Sequence, residues 1–127
     1  MPHRVLIAED EPNIVISLEF LLGGAGHDVT VARNGPDALA LAESVRPDLV
    51  VLDVMLPGVD GFEVCRRIRG SRATRGTRIL MLTARGRHSE MDKGLTAGAD
   101  AYTTKPFATS ELLETIAGLL DRRQTPG

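Results

Sequence analysis

The sequence predicts a doubly wound α/β domain, in which a parallel sheet of five strands is covered by helices on both faces. Five short apolar runs alternate with five stretches of helical periodicity, and this alternation favours right-handed crossovers between parallel strands. The third run, Asp48–Asp53, is apolar on both faces, as is typical of a central strand in a covered parallel sheet. A length of 127 residues, with 43% hydrophobic and 25% charged residues, suits one such domain around a single core.

Turn residues mark the first two strand and helix pairs. The first strand is predicted over Val5–Ala8, and Pro12 suits the first turn of a helix that ends at Gly23–Gly24. The second strand, Val29–Ala32, ends in the turn Asn34–Pro36, where the second helix begins. The apolar positions at helical spacing are Ile14, Leu18, Leu21 and Leu22 in the first helix and Ala38, Leu41, Ala42 and Val45 in the second.

The third strand leads through the turn Pro57-Gly58 into a short helix. Asp60 and Glu63 have the spacing of a capping box at its start, with aspartate in place of the usual Ser or Thr. Cys65 lies on this helix and is interpreted as a small core residue. The predicted core positions of this helix are Phe62, Cys65 and Ile68.

The last elements are a fourth strand over Arg78–Leu82, a weaker helix around Met91 and Leu95, and a fifth strand over Ala101–Thr104. A final helix follows and completes the alternation of strands and helices. Its apolar positions are Leu112, Leu113, Ile116, Leu119 and Leu120.

Composition argues against several classes of protein. No apolar run approaches the roughly 20 residues that cross a bilayer, and we expect neither a signal peptide nor a membrane span. A lone cysteine cannot form an internal disulfide, which fits a reducing compartment, so a cytoplasmic location is expected. The histidines, His3, His27 and His88, are isolated along the chain and are predicted to be solvated or satisfied rather than metal ligands.

Charge is distributed unevenly although the net charge is only −2. Residues 1–63 hold 11 acids and 3 bases, whereas residues 64–127 hold 6 acids and 12 bases. Eight arginines fall between Arg66 and Arg87 with no acid among them. Because no aromatic residues are interleaved with them, we interpret them as solvated charge and expect no direct binding of nucleic acid.

Side chains that could react or bind a ligand lie at the ends of the predicted strands. Glu9 and Asp10 follow the first strand, Asp53 ends the third, and Thr83 and Lys105 follow the fourth and fifth. In a doubly wound sheet, ligands bind outside the carboxyl ends of the strands, where the strand order reverses. With strand order 2-1-3-4-5 the three carboxylates would be neighbours, and their repulsion requires a compensating cation. Oxygen ligands without nearby His or Cys favour Mg²⁺.

Taken together, four stretches of the chain resemble the receiver domain of a two-component response regulator. They are Val5–Pro12, Asp48–Gly58, Met81–Arg85 and Gly98–Phe107, in this order and spacing. The resemblance implies a flavodoxin-like (βα)5 fold with strand order 2-1-3-4-5. It also implies a receiver domain over residues 1–123, with residues 124–127 as a tail or the start of a linker.

The resemblance implies a role for each matching residue. Asp53 would accept a phosphoryl group from the phosphohistidine of a sensor histidine kinase or a histidine phosphotransfer protein. Glu9, Asp10, Asp53 and the backbone carbonyl of Met55 would hold Mg²⁺. The resemblance further implies a regulator that promotes only its own phosphotransfer and dephosphorylation, and is otherwise not an enzyme.

A second group of residues would respond to the phosphoryl group. Thr83 would hydrogen-bond one phosphoryl oxygen and Lys105 would ion-pair with another. Tyr102 matches the switch aromatic, which would turn inward as Thr83 moves, changing the face formed by the fourth helix, fifth strand and fifth helix. The bond between Lys105 and Pro106 is expected to be cis, as the resemblance implies.

Other readings of the same residues are weaker. Singly, Asp53 could cap a turn, and Glu9 or Asp10 could favour a helix N-terminus. A magnesium phosphohydrolase would need a general acid, and Met55, two residues after Asp53, is not one. A partner-binding domain without phosphorylation would tolerate loss of Asp53 or Lys105, and both are present. A flavin-binding domain would use hydroxyl-rich and glycine-rich phosphate loops rather than an acidic edge.

The surface through which two receiver domains of DNA-binding relatives would pair as a symmetric dimer lacks three of its expected charges in this sequence. In DNA-binding relatives of this family a base, an acid and an arginine are expected at positions that hold Met91, Ala101 and Thr115 here, although Asp100 and Glu111 remain. Without complementary charges such an interface loses register. The chain is therefore predicted to be monomeric when unphosphorylated, and to act on a downstream protein target or on an output domain outside this sequence.

Overall fold

The computed structural model describes residues 3–84 and 97–123, which form five parallel strands and four helices. The strands are β1 (Arg4–Ala8), β2 (Asp28–Ala32), β3 (Leu49–Asp53), β4 (Arg78–Ala84) and β5 (Ala101–Lys105). The helices are α1 (Pro12–Gly24), α2 (Gly35–Val45), α3 (Gly61–Gly70) and the C-terminal helix (Thr109–Arg123). In the described part of the chain, no helix is long and apolar enough to cross a bilayer.

The sheet has the order β2-β1-β3-β4-β5, and every neighbouring pair is parallel. The predicted doubly wound fold and strand order are confirmed. Because all five strands run in one direction, their last residues lie along one side of the sheet. We call this side the carboxyl edge and the opposite side the amino edge.

Two hydrophobic clusters cover the two faces of the sheet. The first lies under α2 and α3 and includes Ala38, Val64 and the fully buried Cys65. The second lies under α1 and the C-terminal helix and includes Leu18 and Leu112. Every residue of β3 is buried, because this strand is central and covered on both faces.

Local sequence signals fix where the helices begin. Pro12 occupies the first turn of α1, where the missing N–H has no helical partner to lose. Asn34 caps α2 by accepting a hydrogen bond from the Asp37 N–H at 2.8 Å. Asp60 caps α3 in the same way, accepting from the Glu63 N–H at 3.0 Å.

The structure corrects several sequence predictions. The strand β4 extends through Ala84, two residues beyond the predicted end, so Thr83 lies inside it. Strand β5 likewise includes Lys105. The Glu63 side chain forms ion pairs with Arg66 and Arg67, each at 2.9 Å, which lie further along α3. It therefore pairs with these arginines rather than completing the predicted capping box. The predicted helix around Met91 and Leu95, and His88, lie outside the described residues.

Two of the histidines, which are isolated along the chain, lie next to each other in the fold. Their ring centroids are 5.7 Å apart, and the backbone N–H of His3 donates a hydrogen bond to His27 Nδ1 at 3.4 Å. His3 and His27 each immediately precede a strand. Because β1 pairs with β2 through Arg4 and Asp28, the parallel register brings the two histidines together at the amino edge. Burial lowers the pKa of His27, and the nearby His3 lowers it further.

Candidate functional site at the carboxyl edge

Three carboxylates converge at the carboxyl edge between β1 and β3. Oxygen atoms of Glu9, Asp10 and Asp53 all lie within 4.8 Å of one another. Glu9 is fully buried, Asp53 is 4% exposed and Asp10 is exposed. The predicted convergence is therefore confirmed, and the cluster has one open side, formed by Asp10.

Lys105 links two of these carboxylates. Its Nζ atom lies 2.8 Å from Glu9 Oε1 and 3.2 Å from Asp53 Oδ1. Burial works against the charged ammonium, but the hydrogen bond to Glu9 and the charge of Asp53 outweigh it and raise the pKa of Lys105. Burial raises the pKa of Glu9, with the charge of Asp53 acting in the same direction. The ammonium therefore stays charged and partly compensates two crowded acids.

Backbone groups fix the two buried carboxylates. The Glu11 N–H donates to Glu9 Oε2 at 3.1 Å, and the Met55 N–H donates to Asp53 Oδ1 at 3.2 Å. Glu9 therefore keeps one oxygen on the backbone before α1 and the other on Lys105. These hydrogen bonds hold the carboxylates in position before any ligand arrives.

A close backbone contact at Asp53 was not anticipated from the sequence. A Cβ atom on Gly61 would lie 2.4 Å from the Asp53 carbonyl oxygen, so only glycine fits there. The Gly61 N–H donates to the Val54 carbonyl at 2.9 Å. The sequence signal that was available is the glycine directly after the capping Asp60, which allows α3 to begin against the end of β3.

Thr83 and Tyr102 lie on the two strands beyond Asp53. In the β3 and β4 register Asp53 is opposite Leu82, so Thr83 is one residue further toward the carboxyl edge. Thr83 is 1% exposed and is opposite Thr104 of β5. Tyr102 is partly buried and packs against the cluster under α2 and α3. Thr83 thus joins the carboxyl edge, whereas Tyr102 lies further back along β5.

The donor set has a definite chemical preference. Carboxylate oxygens suit a hard cation, and the absence of His or Cys ligands among the described residues at this edge disfavours soft metals. Mg²⁺ commonly takes one or two carboxylates and keeps several waters, which fits a cluster with one exposed member. Met55 is 67% exposed and has no acidic group to protonate a leaving group.

Part of the arginine run proves to be structural. Arg69 donates to the carbonyl oxygens of Gly98, Arg75 and Thr77 and pairs with Asp100. Asp100 also accepts from the Ile79 N–H at 2.8 Å. Arg69 therefore joins the end of α3 to the segments before β4 and β5, and it is not the solvated charge that the sequence predicted.

Comparison with known proteins agrees with this geometry. The profile of the response regulator receiver domain matches residues 5–117. The chain is 48% identical over 126 residues to the response regulator MprA of Mycolicibacterium vanbaalenii, which covers 99% of this chain and 53% of that protein. It is 42% identical to the alkaline phosphatase synthesis transcriptional regulatory protein PhoP of Bacillus subtilis, over 98% of this chain and 51% of that protein. The chain thus spans about half the length of these relatives.

Solved structures show the same fold. A CheY-like response regulator receiver domain protein from Methanospirillum hungatei has 31% identity and a TM-score of 0.92, with 100% of both chains covered. The receiver domain of a sensor histidine kinase from Pseudomonas aeruginosa has 30% identity and a TM-score of 0.88 over 95% of this chain and 99% of that one. That structure has a magnesium ion coordinated in its active-site cleft.

A parallel sheet in the order 2-1-3-4-5, an acidic cluster at its carboxyl edge and a profile match over most of the sequence lead to one assignment. Receiver domains are the phosphorylation-dependent regulators of two-component systems and act with histidine kinases. The chain belongs to the response regulator receiver family.

Proposed function

We propose that Asp53 is the phosphoacceptor of this receiver domain. The observation that carries the proposal is the placement of its buried carboxylate beside both Glu9 and Asp10 and 3.2 Å from the Lys105 ammonium. A nucleophilic oxygen of Asp53 attacks the phosphorus of a phosphohistidine, the P–N bond breaks, and the imidazole leaves with the electron pair. The product is an aspartyl phosphate, and Lys105 remains available to pair with one of its oxygens.

We further propose that Glu9, Asp10, Asp53 and the Met55 backbone carbonyl hold Mg²⁺. When bound, the ion supplies positive charge that the developing phosphoryl oxygens need. The residues of the chain do the rest. Glu9 and Asp53 are held by backbone N–H groups, and Asp10 faces solvent where an ion and its waters can enter.

Thr83 and Tyr102 are proposed as the switch. Thr83 lies one residue beyond the strand partner of Asp53, so a small movement of β4 brings its hydroxyl toward a phosphoryl oxygen on Asp53. The strands β4 and β5 are paired through Met81 and Tyr102, so the same movement reaches the tyrosine. Phosphorylation of Asp53 would in this way alter the surface that β5 forms with its neighbouring helices, at a distance from the added charge.

The phosphodonor is proposed to be a protein, either a sensor histidine kinase or a histidine phosphotransfer protein. Helix α1 begins beside the acidic cluster and exposes two large apolar side chains on one stripe, Ile16 at 63% and Phe20 at 80%. Exposed apolar groups four residues apart on a helix suit an amphipathic helix of a partner. A donor helix lying there would bring its phosphohistidine to the carboxyl edge.

The downstream side of the signal is proposed from sequence length and charge. The relatives named above include a transcriptional regulator, and this chain spans about half their length, so either an output domain beyond residue 123 or a separate protein target would receive the signal.

We propose that the domain covers residues 1–123 and is monomeric before phosphorylation. Asp100, one of the two remaining pairing charges, is 16% exposed and engaged with Arg69, which supports this proposal. Light scattering with and without beryllofluoride tests it, and a dimer of the unactivated protein would contradict it.

Phosphorylation by a small donor tests the acceptor assignment. Intact-protein mass spectrometry of the wild type with acetyl phosphate and Mg²⁺ should show one added phosphoryl group, and Asp53→Asn should show none. Asp28→Asn, an exposed aspartate at the amino edge, is the matched control and should be phosphorylated like the wild type. A full signal in Asp53→Asn would disprove the assignment.

A further inference from the structure

The loop between β3 and α3, residues 54–60, contacts the start of α2. The Gly35 N–H donates a hydrogen bond to the Pro57 carbonyl at 2.9 Å. On the other side of the contact, Gly58 has φ of +84°, and a Cβ there would lie 2.9 Å from Pro36 Cδ. From the sequence, Asn34–Pro36 was predicted only as a turn, and the structure shows it packed against the loop that carries Met55.

Space, rather than backbone conformation, requires glycine at position 35. Gly35 is buried, and a Cβ there would lie 2.1 Å from the Val59 carbonyl oxygen and 2.6 Å from Val59 Cβ. A backbone carbonyl cannot rotate out of the way as a side chain can. Any larger residue at position 35 must therefore push the segment from Pro57 to Val59 away from α2.

The two ends of this loop are fixed independently of α2. At its start, the Val54 N–H donates to the Leu82 carbonyl at 3.1 Å, and the Met55 N–H binds Asp53 Oδ1. At its end, the Gly61 N–H donates to the Val54 carbonyl at 2.9 Å. The tip is held from outside by Gly35, and the Met55 carbonyl lies between the fixed start and that tip.

We propose that Gly35 is a positioning residue for the Mg²⁺ site, because it sets the path of the loop that presents the Met55 carbonyl. The proposal rests on the proposed function, in which that carbonyl is an Mg²⁺ ligand. Gly35 contacts neither the ion nor the phosphoryl group. It acts through the Pro57 carbonyl, and the asparagine cap of α2 keeps Gly35 itself in place.

An Mg²⁺ titration of the isotope-labelled protein, followed by amide NMR, tests the inference. Gly35→Ala should bind Mg²⁺ about tenfold more weakly than the wild type, the lower end of the effect known for groups that orient metal ligands. Gly118→Ala is the matched control, since a Cβ there meets nothing within 4 Å, and its affinity should equal that of the wild type. Pro36→Ala removes the ring atoms that face Gly58 without adding a heavy atom. It should weaken binding in the same direction, and it tests the inference if Gly35→Ala fails to fold.

Loss of stability alone must not explain the result. Leu119 is buried under the C-terminal helix, so Leu119→Ala should leave a cavity and lower stability while retaining the wild-type Mg²⁺ affinity. Wild-type affinity in both Gly35→Ala and Pro36→Ala would overturn the inference. If Asp10→Asn and Asp53→Asn bound Mg²⁺ as tightly as the wild type, the proposed metal site itself would be wrong. The failure of the inference and the failure of the proposed function are therefore distinguishable.

Discussion

Replacing Lys105 with methionine would leave the buried acids of the carboxyl edge without their cation. Glu9 is fully buried and lies 2.8 Å from the Lys105 ammonium, and Asp53 lies 3.2 Å from it. Removing one partner of a buried ion pair costs about 3–5 kcal/mol of unfolding free energy. Because the Lys105 side chain is 21% exposed, water screens part of the pair, and we expect about 3 kcal/mol.

The expected loss depends on pH in a definite direction. Burial raises the pKa of Glu9 in the folded protein, so this group takes up a proton more readily folded than unfolded. As the pH falls from 8 toward 5, Glu9 in Lys105→Met becomes neutral, and the penalty of leaving it unpaired shrinks. The Lys105 pKa is itself raised, so the wild-type ammonium stays charged throughout this range.

Urea unfolding in EDTA at pH 8 and pH 5.5 measures this effect. Lys105→Arg keeps the charge and is the conservative control, and it should lose much less stability than Lys105→Met. In a Glu9→Gln background the methionine variant should cost far less, because the buried charge it leaves unpaired is gone. A loss below about 1 kcal/mol at pH 8, or an equal loss in the Glu9→Gln background, would refute the argument, since a broken buried pair costs more than that.

Three further predictions concern residues away from the site. His27 has a lowered pKa and accepts a hydrogen bond at Nδ1, so its imidazole takes up a proton more readily in the unfolded chain than in the folded one. The free energy of unfolding should therefore fall as the pH drops below about 6.5. Urea unfolding should show a smaller fall in His27→Gln. Burial raises the pKa of Cys65 to about 11, so the native protein should resist a thiol reagent at pH 8 and react fully in guanidinium; rapid native labelling would contradict its burial. Arg46 ends α2 with φ of 52°, so Arg46→Gly should raise the unfolding free energy by about 0.5–1 kcal/mol, whereas Arg46→Ala, which keeps a Cβ, should show no such gain by calorimetry.

The fold and most of the site were predictable because a parallel sheet places all strand ends on one edge. The residues that end or directly follow β1, β3 and β5 can be identified from apolar runs, and Glu9, Asp53 and Lys105 indeed meet. Which member of the acidic pair is buried was harder to predict. Successive residues leaving a strand point in different directions, and here Glu9 is fully buried while Asp10 is exposed.

Contacts between distant segments could not be predicted from local pattern. The arginine run has the composition of a solvated surface, yet Arg69 binds carbonyl groups 29 and 8 residues away, at Gly98 and Thr77. The pairing of His3 with His27 follows from the register of β1 against β2, which the apolar runs do not specify. Such contacts depend on which loop lies beside which, and that is decided by packing rather than by periodicity.

Lys105 lies at different distances from its two carboxylate partners, and this difference affects what the ammonium would do in the proposed phosphorylation. The ammonium is closer to Glu9, at 2.8 Å, than to Asp53, at 3.2 Å, and Glu9 is held by the backbone of the segment before α1. In the proposed reaction Asp53 becomes an acyl phosphate, so its carboxyl group loses the charge that Lys105 now faces, and Glu9 would keep the ammonium at the carboxyl edge. We therefore expect Lys105 to turn toward a phosphoryl oxygen without leaving the site. A buried glutamate is costly for folding in isolation, and under the proposed function it would hold the cation where the phosphoryl charge develops.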